Sequence, residues 1–408
     1  MPIPSLVAIV GALCLAQPGG QPGEGVVNDD PAAEGKFLGE IRQLTFAEDF
    51  AKAGESYFSA MGRAIVFQAV PKPADGIEPD SHYGMYFAPL MMSDGQLGLD
   101  GTSTLGQKLL VSPLGSANTC GWFKPNTSEL IFGSTLVAPS ETEQPGYQRG
   151  SSRYRWAFPT EMEIVSIEVY YKAIEVKSKP TIHVSDMNSW FVAKGPSVVF
   201  EKPGYTAECS YSPDGRHILY AQVDEAKSNA IGRPDADLWV FDTQTEGHVA
   251  LVEAEGYDGG PFFSPDGKWI CYRSDRKGDN LLQLFVAKLA FGEAGEITGI
   301  SREIQLTDNG HVNWAPFWHP SGAYLVYASS QVSHGNYEVF ALAFDAAEPE
   351  NKSEPVRITY ASGFDGLPVF SADGKWMMWT AQRGEDRGPD GKASSQLWIA
   401  EWKGLGGE

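Results

Sequence analysis

The stretch PFFSPDGKWICYRSD, residues 261–275, reads as a strand, a tight turn and a returning strand. Pro265 presets φ at the first turn position, Asp266 can bond its own backbone, and Gly267 takes a positive φ at no steric cost. The same hairpin recurs as Ser212-Pro213-Asp214-Gly215, His319-Pro320-Ser321-Gly322 and Ser371-Ala372-Asp373-Gly374, with spacings of 52, 55 and 52 residues between turn starts. An aromatic residue precedes each turn (Tyr211, Phe263, Trp318, Phe370) and an apolar strand follows it. Two weaker copies lie upstream, around Ser59–Gly62 and around Phe123–Asn126. Six copies of a strand-rich unit of this period predict an all-β, six-bladed propeller of four-stranded antiparallel blades.

The totals agree with one closed repeat body. The chain has 408 residues, 42% hydrophobic and 12% aromatic, with 45 Gly and 27 Pro to serve many turns. Its net charge of −21 argues against nucleic acid or an anionic membrane as the main partner. The apolar run Leu6–Ala16 is too short to span a membrane and reads as the core of a secretory signal, though no basic residue precedes Lys36. Residues 1–20 are expected to be a signal peptide, 21–38 a flexible leader, and 39–408 the propeller. Cys120, Cys209 and Cys271 fall inside predicted strands and read as small buried hydrophobes.

The pair Leu44-Thr45 recurs as Leu306-Thr307 and, with Ile for Leu, as Ile358-Thr359, the later two each closing a repeat. The last repeat has only three strands of its own. The strand Ile41–Phe46 is therefore expected to supply its outer strand and close the ring through both chain ends. The largest insertions, around 138–158 and 172–195, fall in blade two and predict a protrusion.

With its SPDG turns and short Leu-Thr strand, the chain resembles the TolB-like family of six-bladed propellers over roughly residues 39–403. HVNWAPFWHPSG (His311 to Gly322), GFDGLPVFSADGKW (Gly363 to Trp376) and TCGWFKP (Thr119 to Pro125) are similar to segments of secreted or periplasmic members. The resemblance implies an envelope protein that binds other proteins, and no shared catalytic residues.

Aligning the repeats on the turn produces a column of residues that open the innermost strands: Asn118, Thr206, Asp258, Asn313 and Asp365, with Ala53 in blade one. If these strands line the axial tunnel, the column forms a polar ring at one mouth that could accept a peptide, or a Ca2+ or other divalent cation through oxygen ligands. The competing reading is that Asp and Asn at strand starts bond local backbone. Glu208, His311 and Trp314 complete the candidate binding set. His311 reads either as a packed ring or as a tunnel-mouth acid or base. No HExxH, GxSxG, Walker or GxGxxG motif occurs. The sequence thus predicts a non-catalytic, monomeric, secreted or periplasmic propeller that binds an envelope or secreted protein or peptide, without a required cofactor or resident metal. The alternative is a propeller enzyme, a saccharide lyase or hydrolase, working at the same mouth.

Overall fold

The computed structural model describes residues 29–93, 96–97, 105–140, 146–148, 153–155, 158–173, 188–192 and 194–406. The expected signal peptide and most of the blade-two insertions lie outside the described residues. What is described is an all-β, six-bladed propeller. Blade one runs from Phe50–Phe58 at the axis through Ala64–Pro71 and Gly84–Pro89 to Leu109–Leu110. Blades two to five begin at Asn118–Phe123, Thr206–Tyr211, Asp258–Phe263 and Asn313–Trp318. Blade six comprises Asp365–Phe370, Trp376–Ala381, Gln396–Trp402 and, outermost, Leu38–Gln43.

The turns work as their sequence dictates. In blade three the Ser212 hydroxyl donates to Asp214 at 2.5 Å and accepts the His217 N–H at 2.9 Å. Asp214 also accepts the Arg216 N–H, and Gly215 has φ 75°. Ser264 with Asp266, and Ser371 with Asp373, repeat the arrangement at 2.6 Å. These aspartates are turn-formers. The second strand of each blade then buries one large aromatic ring: Phe67, Phe132, Tyr220, Tyr272, Tyr327 and Trp379, all under 2% exposed. Burying such rings supplies most of the driving force that holds one blade to the next.

The Leu-Thr motif has a defined job. Thr45, Thr307 and Thr359 each accept, through the side-chain oxygen, a backbone N–H from the third strand of a blade: Leu397, Leu284 and Val339, at 2.8–2.9 Å. The apolar partners Leu44, Leu306 and Ile358 are buried beside them. Leu38–Gln43 pairs with Gln396–Trp402, matching Ile41 to Ala400 and Gln43 to Trp398. Both ends of the propeller thus share one blade, and the expected ring closure is present.

The leader differs from expectation. Residues 21–38 were expected to be flexible, but from Asp29 onward the chain is docked on blades five and six. Asp30 caps a short helix, Pro31–Glu34, by accepting the Ala33 N–H, and Pro31 suits the first helical turn because its missing N–H would have no partner there. Glu34 is 6% exposed. It accepts from Arg383 at 2.5 and 3.0 Å and from the Tyr360 N–H at 3.0 Å. The polar loop of blade six is also held, since Asp386 accepts from Gln43 and from the Ala47 N–H.

Closure makes the outermost strand a stability element. Replacing Thr45 by Val keeps its volume but leaves the buried Leu397 N–H without its acceptor, at an expected cost of about 1–3 kcal/mol. Urea unfolding measures this; a loss below about 0.5 kcal/mol would show that the threonine contributes little to closure.

Candidate functional site at the tunnel mouth

Each innermost strand carries a β-bulge at the same place. The register slips between Gly54 and Ser56, Thr119 and Trp122, Ala207 and Ser210, Gly259 and Phe262, Trp314 and Phe317, and Gly366 and Val369. Within each slip lies a residue with positive φ: Glu55 (41°), Cys120 (50°), Glu208 (58°), Gly260 (59°), Ala315 (52°) and Leu367 (54°). An undisturbed strand would alternate its side chains with period two. The bulge resets that alternation, so opening residues and bulge residues have different surroundings.

The opening residues are buried and bonded within their own blade or to the blade before it. Asn118 donates to the Tyr83 and Ser116 carbonyls at 2.8 and 3.0 Å. Asp258 accepts from Arg276 at 3.2 Å and from the Ala254 N–H; burial raises its pKa to about 6 against these stabilising bonds. Asn313 donates to Asn309 and Gln283 and accepts from Ser329. Asp365 accepts from Trp379 Nε1 and from Arg383, at 2.6 Å to the nearest guanidinium nitrogen. Thr206 is fully buried. The expected ring of open polar groups is therefore a set of blade-locking bonds. The two carboxylates that a tunnel cation would use already hold arginines. His311 is exposed on the rim, with its N–H on Asn309 and its carbonyl accepting from Gln283.

The bulge residues face the axis, and Glu208 is among them. Its carboxylate accepts from Tyr257 OH at 2.8 Å, from the Gly260 N–H at 2.6 Å and from Arg273 at 3.1 Å. The Arg273 guanidinium also donates to Tyr257 OH at 2.7 Å and lies over the rings of Tyr257 and Trp314, 5.6 and 5.8 Å from their centroids. Gly259 and Gly260 are required here. A Cβ on Gly259 would stand 2.1 Å from Tyr257 OH, and one on Gly260 would stand 2.1 Å from Arg273.

Glu55 forms the second half of the site. Its carboxylate accepts from Tyr57 OH at 3.0 Å, from the Cys120 thiol at 2.9 Å, from Gln68 and from Thr119. Burial raises its pKa, opposed mainly by the Cys120 bond and the charge of Arg273. Burial together with Glu55 and Glu208 holds the Cys120 thiol well above its ordinary pKa, so it stays protonated and is a poor nucleophile. Cys120 is thus a partly exposed tunnel residue, unlike Cys209 and Cys271, which are the buried small side chains expected.

Below the bulges the tunnel is closed by rings. Tyr57, Trp122, Phe262 and Phe317 come from four blades and contact one another with centroids 5.1–6.4 Å apart. Above them the mouth is rimmed by aromatic side chains. Phe158, at the end of a blade-two insertion, packs on Tyr205 and Tyr257; on the far side Phe364 lies between Trp314 and Tyr337. The result is a mouth bordered by half-buried aromatic rings, with Glu55 and Glu208 below them and packed rings beneath. Among the described residues no three His, Cys, Asp or Glu side chains gather as metal ligands.

Sequence reasoning found Glu208 and Trp314 and missed Glu55, Cys120, Tyr257 and Arg273. A signal for the first two was available: two residues past the opening column, Glu55, Cys120 and Glu208 stand in a column otherwise filled by Gly, Ala and Leu. Glu55 also supplies a pH prediction. Its proton is held more tightly in the folded protein than in the unfolded chain. That contribution to stability is full below the ordinary Glu range and is lost as the pH rises through the raised value. Glu55→Gln should therefore match the parent near pH 4 and melt at a higher temperature near pH 8. A difference in melting temperature that stays constant across this range would contradict the assignment.

No family model matches the chain. It is 27% identical over 186 residues to the Tol-Pal system protein TolB of Wolinella succinogenes, covering 46% of this chain and 39% of that protein. It is 26% identical over 201 residues to the uncharacterized peptidase YuxL of Bacillus subtilis, covering 42% of this chain and 28% of that protein. Both matches thus span less than half of the relative's own length. Among solved structures, a putative TolB from Agrobacterium tumefaciens aligns with a TM-score of 0.46 at 14% identity, over 86% of this chain and 90% of that one. By its recurring turns, its closing strand and its six four-stranded sheets, the chain is an all-β six-bladed propeller, similar in sequence over part of its length to a TolB protein.

Proposed function

We propose that the chain is a non-catalytic, secreted or periplasmic binding protein that takes a polypeptide segment in the tunnel mouth. The observation that carries this reading is the mouth itself: aromatic rims at Trp314, Phe364, Tyr337 and Phe158 around buried polar groups, above packed rings. Half-buried rings above a few fixed polar groups suit peptide recognition, with Trp and Tyr as anchors. Trp314 and Glu208 keep their place in the proposed site. Asn118, Thr206, Asp258, Asn313 and Asp365 support it from behind, and His311 sits at its edge. No described helix is long and apolar enough to cross a membrane.

The groups that catalysis would need are committed elsewhere. Glu208 is held by Tyr205, Tyr257, the Gly260 N–H and the Arg273 cation, and Asp258 and Asp365 are held by arginines rather than by His311. Cys120 is held as a thiol. One observation favours the enzymatic alternative: Glu55, a tunnel carboxylate with a raised pKa, has the character of a general acid.

Selection from a phage-displayed peptide library tests the reading. Peptides selected on the full chain should lose at least about tenfold in affinity on Trp314→Ala, and should be unaffected by Lys268→Ala at the turn end of the ring. Peptides that bind both variants alike would place the interface away from the mouth.

A further inference from the structure

Beneath the mouth lies a cavity of about 10 Å³, the room of roughly one water molecule. It is lined by Glu55 and Tyr57 from blade one, Phe262 from blade four, Ala315 and Phe317 from blade five, and Leu367 from blade six. Ser56 lines it too, and its buried hydroxyl has no hydrogen-bond partner among the described residues. Glu55, a serine with an unused hydroxyl and three aromatic residues therefore line a space of ionic dimensions.

Resting on the polypeptide-binding reading, we propose that this cavity takes a primary ammonium group of the bound segment, a lysine tip or a chain N-terminus. Glu55 is its counter-charge, and Tyr57, Phe262 and Phe317 are its walls. The two tunnel carboxylates differ in one respect that points here. Glu208 has a bonded cation in Arg273, whereas the hydrogen-bond donors on Glu55 are the uncharged Tyr57, Cys120, Gln68 and Thr119. A buried carboxylate with no bonded counter-ion is unfavourable, and a cation entering beside it offsets that cost. Rings add attraction for a cation over their faces. The molecule already holds one cation in this way, because the Arg273 guanidinium combines a carboxylate with the rings of Tyr257 and Trp314. The cavity at Glu55 has the size of an ammonium rather than of a planar guanidinium, which sets the expected preference for amine over arginine. A net charge of −21 draws cationic segments toward the protein from a distance.

The titratable or charged groups that act on Glu55 are Tyr57 on its own strand, Cys120 from blade two, Glu208 from blade three and Arg273 from blade four. Cys120 and Tyr57 both remain protonated, since burial lifts each well above its ordinary pKa. Ammonium binding favours the ionised Glu55, so affinity should rise as the pH climbs above the ordinary Glu range, with a proton released on binding.

Calorimetry on the full chain with four short probes tests this: Ac-Gly-Lys-Gly-amide, its norleucine and arginine counterparts, and Gly-Gly-Gly-amide with a free N-terminus. The lysine probe should bind at least about tenfold tighter than the norleucine probe and more tightly than the arginine one. Glu55→Gln should abolish the lysine preference. Phe317→Leu, which removes a ring face while keeping an apolar side chain, should reduce it, and it serves as the variant of record if Glu55→Gln does not fold. Tight binding of Gly-Gly-Gly-amide would assign the site to a chain N-terminus, and its absence beside lysine binding would assign it to a side chain. Equal affinities for the lysine and norleucine probes with no binding of Gly-Gly-Gly-amide, or an amine preference that survives Glu55→Gln, would overturn the inference. Library peptides that bind at the mouth with no amine preference would overturn it while leaving the polypeptide-binding reading intact.

Discussion

The bulge in each innermost strand is the constraint on which the tunnel depends. Five of the six bulge residues are not glycine, yet all six hold φ between 41° and 59°. A non-glycine residue in that region costs about 1–2 kcal/mol, so the surrounding blades must fix it. The fixing contacts are visible. The Glu55 N–H donates to Thr380 of blade six, and the Gly260 N–H donates to Glu208 of blade three. These two bulges are thus tied to a neighbouring blade. What the strain achieves is direction. It aims Glu55, Cys120 and Glu208 at the axis and leaves Asp258 and Asp365 behind, locked to Arg276 and Arg383.

Closure makes such strain tolerable. A ring sealed by pairing Leu38–Gln43 with Gln396–Trp402 has no open seam through which the blades can separate. The docked segment from Asp29 adds to this seal. Glu34 and Asp365 both accept from Arg383, so one arginine joins the leader to the innermost strand of blade six. The ring is also uneven in chemistry. Blades one to three place Glu55, Cys120 and Glu208 at the bulge level, and blades four to six place Gly260, Ala315 and Leu367 there. The side bearing Glu55 and Glu208 faces small or apolar residues across the tunnel, and that asymmetry makes the mouth directional.

The fold was legible because local chemistry and repeat spacing agree. Ser-Pro-Asp-Gly makes its turn with its own side chains, and the Leu-Thr pair makes its bond with the neighbouring strand, so both survive as sequence signatures. The site was less legible. Strand alternation would put Asp258 and Gly260 on one face, and the bulge that separates them is marked by glycine in blade four alone. Arg273 and Tyr257 reach the axis only through tertiary placement: Arg273 is paired opposite Gly259, and Tyr257 folds over the space that Gly259 leaves. The docking of the leader had a local signal in Asp30-Pro31, a helix cap followed by a first-turn proline. The acidic, glycine-rich composition around it pointed the other way.

Thiol protection tests the central claim, that a ligand enters the tunnel from the aromatic-rimmed mouth down to the level of Glu55. Cys120 is partly exposed at that level, while Cys209 and Cys271 are 2% and 0% exposed. Alkylation of the folded chain by N-ethylmaleimide, slow because the Cys120 thiol is held protonated but read by mass spectrometry over hours at pH 8, should still modify Cys120 ahead of the buried Cys209 and Cys271. A bound lysine peptide should slow that modification in proportion to its occupancy. Unchanged Cys120 alkylation at saturating peptide would contradict the account, because it would show the tunnel empty while the peptide is bound.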